Sequence, residues 1–352
     1  MSSRIYVGTK AFALRGTVLD KETVQKLAEA TSLDELVNRL RSTPYSDFLS
    51  SSLTSPFTAR RIERTLRERL AEVHHSVITG AGKYRIMELY YLRHIAWDLK
   101  TALKSKALNR SYEETVEYLD MKAEELAGRR DLIIRVLSAK DVNEAVSLLS
   151  GTEFSDDVEK ALSAFSTRRE VRFFDLFLDH AVLSAISKEY TANFRLYASP
   201  RATDVAGVED IVANDIDAYN VLSVLRSKLW GLPEAEVRSL MILPTHRVTS
   251  AALGRMVTAD SVPEAVRQAG RTYGTAGQGT KSDEEIIDEV DDGFSAEMRA
   301  TAAKAFVWQG LGPGAMLALV KLLEFEVGNL AAIAIGIEAR MDVKTILAKL
   351  RI

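Results

Sequence analysis

The stretch YGTAGQGTKSDEE, Tyr273 to Glu285, sets glycines ahead of a threonine, a lysine and a serine, the residue types with which a loop cradles phosphate. A phosphate loop needs its lysine directly after a glycine and directly before Ser or Thr, so that backbone amides and ammonium converge on the oxygens, and it needs a strand in front. Here Thr280 separates Gly279 from Lys281, and no strand pattern precedes the loop. It reads as a surface connection, with Ser282 and Glu285 as a capping box for the helix that follows.

The other constellations with chemical potential fail on spacing. The acidic run Asp283, Glu284, Glu285, Asp288, Glu289, Asp291 and Asp292 lacks the alternating ligands and central glycine of a calcium loop, so a solvated helix face is expected. ARRIERTLRERL places Arg60, Arg61, Arg64, Arg67 and Arg69 over nearly three turns, a spacing able to grip phosphates. Glu63 and Glu68 lie among them and aromatics for base stacking are absent, which points to a charged outer face instead. His74 and His75 are adjacent and face different sides of a helix, while His94, His180 and His246 are scattered; none forms an H-E-x-x-H pair, and packing or surface roles are expected. No G-x-S-x-G elbow occurs. The reading is therefore of no catalytic, cofactor-binding or metal residue, and no partner-contact residue is singled out.

The elements that carry these residues come from a chain of 352 residues, 47% hydrophobic and 27% charged, with 7 prolines and 19 glycines. That is the composition of a folded protein rich in helix formers. A net charge of −3 gives no field to hold polyanions, although residues 51–100 carry nine Lys/Arg against five Asp/Glu and residues 251–300 five against ten. The absence of cysteine removes disulfides, thiolate catalysis and Cys-based metal sites, and fits an intracellular compartment. The N-terminus MSSRIYVGTKAF lacks the regions of a signal peptide, so a cytoplasmic location is expected. The apolar stretch GPGAMLALVKLLEFEVGNLAAIAIGI is interrupted by Lys321, Glu324, Glu326 and Asn329, and reads as a buried helix, since a membrane span wants about 20 apolar residues without such charges.

Internal similarity organises the chain. SLDELVNRLRST, DVNEAVSLLSGT and SVPEAVRQAGRT each open on Ser or Asp with Glu35, Glu144 or Glu264 three residues later, a reciprocal helix cap. Each continues with one apolar register: Leu36, Val37 and Leu40; Ala145, Val146 and Leu149; Ala265, Val266 and Ala269. Each then reaches a threonine (Thr43, Thr152, Thr272) and an aromatic residue (Tyr45, Phe154, Tyr273). A second register aligns Trp97 with Tyr219, and with it Leu103, Lys104, Ser105 and Lys106 with Leu225, Arg226, Ser227 and Lys228. A fainter copy places Asn329 on Asn220. After Lys228, Gly231 and Pro233 end one helix and start another. Strand signals are poor throughout. An all-α chain of three similar helical units, 1–120, 121–240 and 241–352, follows, in which the backbone around Asp98, Asn220 and Asn329 should superpose.

Four blocks, YVGTKAFALRGTVL with LDELVNRLRSTPYSDFL, FFDLFLDHAVLSAISKEY, DAYNVLSVLRSKLWGLPEAEV and EFEVGNLAAIAIGIEARMDVKTIL, resemble in their order the C subunit of the A/V-type rotary ATPases, the counterpart of the d subunit of the eukaryotic V-ATPase. The chain departs from that family where Gly328 takes the place of an arginine before Asn329 and RMDV replaces a Gly-Leu-Pro-like break. The resemblance implies three helical units in a pseudo-threefold funnel. It implies a non-catalytic central-stalk subunit of a proton- or sodium-translocating ATP synthase or ATPase, a socket that transmits torque between the central axle and the membrane rotor ring of proteolipid subunits. It further implies a peripheral place on the cytoplasmic face of the membrane, with no nucleic acid and no small-molecule substrate. The alternatives are a helical adaptor unrelated to rotary ATPases and an enzyme with a site assembled from scattered residues. Solenoid adaptors recur at about 20–50 residues, whereas these capping boxes lie 109 and 120 residues apart.

Overall fold

The computed structural model describes residues 2–81, 84–193, 207–270, 281–308 and 312–352, and every regular element among them is an α-helix. After α1 (Ser2–Arg15), the short α2 (Lys21–Ala28), α3 (Leu33–Leu40) and α4 (Ser46–Ser52) lead into the long α5 (Ala59–Ala81) and α6 (Arg85–Ala107), closed by α7 (Tyr112–Val116). Then α8 (Lys122–Ala127), α9 (Arg130–Ser138), α10 (Val142–Ser147) and α11 (Ser155–Arg168) lead into α12 (Arg172–Asn193) and α13 (Val208–Leu229), closed by α14 (Glu234–Ser239). Finally α15 (Ser250–Thr258) and α16 (Val262–Gln268) lead into α17 (Asp283–Trp308) and α18 (Pro313–Glu338), closed by α19 (Val343–Ala348).

The capped helices α3, α10 and α16 start where expected. Ser32, Asp141 and Ser261 accept from the amides of Glu35, Glu144 and Glu264 at 3.1, 2.9 and 3.3 Å. The return half of the box differs from the expectation. Glu35 and Glu144 reach one residue further back and accept from the amides of Thr31 and Lys140 at 2.8 and 2.7 Å. Glu264 is drawn instead to the charged Arg267 and to the Gln268 side-chain amide on its own helix face. Ser282 and Glu285 do bond reciprocally, at 2.8 and 3.2 Å. The nine apolar positions behind the three caps are all buried. Thr43 and Thr152 make matching turns: each hydroxyl donates to the carbonyl three residues back at 2.6 Å and accepts from the following aromatic's amide at 3.2 and 3.3 Å. Thr272 and Tyr273 lie outside the described residues.

The endings of α6, α13 and α18 repeat bond for bond. Asn109, Gly231 and Arg340 take left-handed φ of 54°, 65° and 56°. The next amides, Arg110, Leu232 and Met341, return to the carbonyls of Ser105, Ser227 and Gly336 at 2.9, 2.9 and 2.8 Å, the six-to-one closure of a Schellman ending. The third copy thus keeps the turn although RMDV has lost the glycine, with Arg340 accepting backbone strain of about 1–2 kcal/mol. About three turns earlier, Asn220 donates to Ile242 O at 3.0 Å and accepts from Ile242 N at 2.8 Å. Asn329 treats Arg351 the same way at 3.1 and 2.7 Å, and Asp98 accepts from Met121 N at 3.2 Å. The aligned lysines also play one role, because Lys106 donates to Ala139 O at 2.6 Å, and Lys228 donates to Val257 O at 2.9 Å and to Ala259 O.

Packing joins what the sequence repeat separates. α6 lies along α12, α13 along α17, and α18 returns to lie along α5. One apolar cluster joins α2, α3, α4 and α5 to Val327, Leu330, Ile333 and Ala334 of α18 and Ile346 of α19. Another joins Val221, Val224 and Leu225 of α13 to the apolar faces of α15, α16 and α17, and the largest runs from α6 through α12 into α18. Replacing Asn220 by Ala leaves the buried Ile242 amide and carbonyl without partners. The expected loss is about 1–3 kcal/mol for each orphaned group, read as a fall in the urea midpoint with unchanged slope.

Candidate functional site

α6, α13 and α18 each send charge or a polar hydroxyl into one buried centre. Lys321 sits in the apolar run of α18 with its side chain 3% exposed, and its Nζ lies 2.9 Å from Asp215 Oδ2 of α13 and 3.3 Å from Glu324, one turn on. From α6, the Tyr90 hydroxyl donates to Asp215 Oδ2 at 2.8 Å and Arg93 Nη1 comes within 3.5 Å of the same oxygen. Lys321 Nζ also stands 4.9 Å over the Tyr90 ring. Two cations and two carboxylates balance, the condition under which buried charge is tolerated. Burial would raise Glu324, but Lys321 and Arg93 outweigh it and hold the carboxyl below its usual range. Burial would lower Arg93, but Glu324 and Asp215 outweigh it and raise the guanidinium. Burial, then Asp215, push Tyr90 well above 10, so it remains a phenol and a donor.

A cavity of about 330 Å³ opens beside this centre, lined among others by Arg93, Asp179, Asn214, Asp291, Phe294 and Arg351. Its charges are of mixed sign and already paired in part: Asp291 takes Arg226 at 3.4 Å and Arg351 at 3.1 Å. The lining pairs no nucleophile with a base and offers no phosphate cradle. The arrangement can hold helices together and can meet a polar surface.

A Ser-His-Asp relay does form elsewhere, with no sequence elbow to announce it. Asp157 Oδ1 lies 2.9 Å from His180 Nδ1, and His180 Nε2 lies 3.2 Å from Ser184 Oγ. The order of atoms matches a hydrolase triad. Ser184 and His180, however, are one turn apart inside α12, where backbone amides are spent on the helix and none is free for an oxyanion, and Ser184 does not line the central cavity. The relay ties α11 to α12, with Lys160 completing Asp157 at 3.3 Å.

The family model for the ATP synthase (C/AC39) subunit matches residues 7–349. The chain belongs to this family. Among similar proteins, the C subunit of the A-type ATP synthase of Pyrococcus horikoshii is 26% identical over 341 residues, 95% of this chain and 86% of its own length. That of Methanocaldococcus jannaschii is 22% identical over 349 residues, covering 94% and 82%. That of Thermococcus onnurineus is 25% identical over 241 residues, 67% of this chain and 60% of the relative. All three are named as the C subunit of an A-type ATP synthase.

In this C/AC39 subunit the arginines of α5 are engaged within the fold. Arg67 stacks on Trp97 at 3.7 Å and pairs with Glu63 at 2.7 Å, and Arg60 stacks on Tyr118 at 3.6 Å. Arg61 donates to Pro56 O at 2.6 Å, Arg64 meets Glu68 at 3.6 Å, and Arg69 meets Glu72 at 4.0 Å. The acidic face of α17 is not wholly solvated as expected, because Asp291 and Asp292 bind the C-terminal Arg351, at 3.1 and 3.6 Å, and Asp291 also takes Arg226. His74 and His94 meet at 3.2 Å in the core. Since Met87 O only accepts, His74 Nε2 carries the hydrogen at 3.2 Å, and Nδ1 accepts from His94. Burial holds His94 down to about 4 and His74 well below its usual value, so the pair stays neutral. His246 stacks near Tyr190, ring centres 5.7 Å apart.

The centre's residues are individually ordinary in sequence, and only the charges inside the apolar run of α18 flag it. Lys321→Met should cost about 3–5 kcal/mol, the price of leaving buried carboxylates uncompensated. Asp215→Asn on top of it should recover part of that loss, a coupling that a double-mutant cycle in urea measures directly.

Proposed function

We propose that this C/AC39-family subunit is a non-catalytic rotor part of an A-type ATP synthase or ATPase, a socket between the central axle and the membrane rotor ring that passes torque from one to the other. The observation that carries the reading is cyclic packing. Each of α6 and α13 lies along the first long helix of the next unit, and α18 lies along the first long helix of the chain. Such pairing supports units 1–120, 121–240 and 241–352 arranged about a pseudo-threefold axis as a funnel. A closed body loaded in torsion gains from having its apolar contacts between units rather than within them, since relative rotation of two units must then break a packed core.

The same reading accounts for the paired, mixed charges around the central cavity, which suit a polar axle end better than a small substrate. The short closing helices α7 and α19 have exposed apolar residues at or before their starts, Leu108, Tyr112, Met341 and Val343, as a second surface for the ring. No helix among the described residues is long and apolar enough to cross a membrane, which is compatible with a peripheral place on the cytoplasmic face. A torque-bearing interface of this kind should bury on the order of 2,000 Å² or more.

Co-expressed with the axle subunits and the proteolipid ring of its own complex, the protein should purify with both and hydrolyse no nucleotide alone. Robust ATPase activity of the pure chain overturns the non-catalytic reading, and its failure to bind either partner overturns the socket. Superposition in an experimental structure of the backbone around Asp98, Asn220 and Asn329 tests the threefold arrangement separately.

A further inference from the structure

The repeated clamp differs in one copy. Asn220 and Asn329 each use an amide to give one hydrogen bond and take another across the chain. Asp98, at the same position of α6, takes the bond from Met121 N, but an ionised carboxylate has no hydrogen for the other one. Its Oδ1 is buried and finds no hydrogen-bond donor. Beside it stands Glu124 of α8, fully buried, and neither of its oxygens finds a donor either. Asp120 completes a set of three carboxyls, with one oxygen of each within 4.8 Å of the others. Three negative charges do not coexist at that separation out of water.

We propose that Glu124 retains a proton and shares it with Asp98, so that the contact between α6 and α8 is a clasp closed by one proton and opened by its loss.

The surroundings assign the proton. Asp120 is half-buried, and although burial raises its carboxyl too, the amides of Lys122 at 2.8 Å and Ala123 at 3.5 Å at the start of α8, with Arg67 and Arg64 opposite, favour its charged form more than anything near Glu124 does. From α5, Arg64 and Arg67 face Asp120, with Glu68 beside Arg64. From α6, the Tyr91 hydroxyl donates to Ala123 O at 3.2 Å and so does not serve the acids. From α8, Lys122 turns away to Glu72 at 3.7 Å. α9 offers buried Leu132, Ile133 and Val136, and Glu338 of α18 and Glu117 line the cavity of about 300 Å³ that Asp98 and Asp120 reach. Among the described residues, no cation pairs with Glu124. A divalent ion is a poorer occupant than a proton, because Arg64 and Arg67 already hold the open side of the set.

Burial first, then the neighbouring carboxylates, raise Asp98 and Glu124 above the usual carboxylate range. A raised folded value means that the native state binds the proton the unfolded chain has released. The clasp contributes fully below the unfolded value of about 4 and is lost as pH climbs through the folded values. Raising the pH therefore loosens the backbone from Tyr118 to Ala127, and acid tightens it.

Two measurements on the full-length protein test this. Infrared difference spectra near neutral pH should contain the carbonyl band of a protonated carboxylic acid that Glu124→Gln removes; its presence unchanged in that variant, or its absence from the wild type, overturns the proposal. Hydrogen exchange over residues 118–127, corrected for intrinsic rates, should speed up by about tenfold or more between about pH 6 and about pH 9. Asp98→Asn installs the amide that the other two copies carry, keeps the fold, and should flatten that dependence; an unaltered dependence overturns the clasp, and this variant decides even where Glu124→Gln does not fold. Thermal stabilisation of the wild type by Mn²⁺ or Ca²⁺, lost in either variant, would make the set a cation site and equally overturn it.

Discussion

The buried ion pair between Lys321 and Asp215 is the constraint around which the rest is arranged. A lysine 3% exposed in the middle of an apolar helix is untenable alone, and every neighbour that makes it tenable comes from elsewhere in the chain or from its own next turn. α13 supplies the counter-charge, and α6 supplies a phenol to the same carboxylate and a guanidinium beside it. The long closing helices cannot slide past one another by a turn without stranding one of these groups. Apolar packing alone tolerates such slips, because neighbouring ridges of Leu and Ala are nearly equivalent. The polar centre thus contributes register more than net stability, which is the best-attested use of buried charge.

Outside the centre, registration is repeated locally. The Schellman endings at Asn109, Gly231 and Arg340 turn the chain through the same left-handed step, and the clamps at Asp98, Asn220 and Asn329 then fasten the segment that follows the short closing helix. The aligned basic residues reach onward: Lys104 to Asp175 of α12 at 2.7 Å, and Arg226 to Asp291 of α17. The first two helix endings therefore fix their own exits and mark the next long helix, while the third, with Ile335 at the aligned position, fixes only its exit. Local bonds of this sort set angles, while the apolar clusters that straddle the sequence repeats supply the free energy.

Much of this was legible in the sequence because it is written in short-range signals. The apolar registers after Ser32, Asp141 and Ser261, the equivalence of Lys106 with Lys228, and the stop at Gly231 are all spaced within a few turns, where helix geometry ties sequence to position. The turn at Arg340 carries no such sign, because a glycine is the usual mark of left-handed backbone and the structure enforces the conformation on an arginine instead. The polar centre was invisible except as anomalies in α18, since Tyr90, Arg93 and Asp215 are brought to Lys321 from more than a hundred residues away. The reciprocal caps were half right: the hydroxyls behaved as their type dictates, while the glutamates chose among several nearby donors that spacing alone does not rank.

Equivalent positions also show what the fold permits to vary. At the clamp, Asn is the residue that satisfies both an amide and a carbonyl with no charge to bury, and two of three copies use it. The first copy carries Asp98 and places Glu124 against it, a choice that raises the energy of the charged form and makes the contact depend on protonation. A third carboxyl, Asp120, lies partly toward solvent with Arg64 and Arg67 across from it, so charge increases from the dry end of the set to the wet one. If the asymmetry were drift, the simplest outcome would be a buried carboxylate expelled toward water. Instead Asp98 and Glu124 both stay inside, and the polar atoms that would disfavour them elsewhere are turned toward each other. The repeated clamp makes that departure readable: the two amides show what the position requires, and an acid pair can meet the same requirement only by holding a proton.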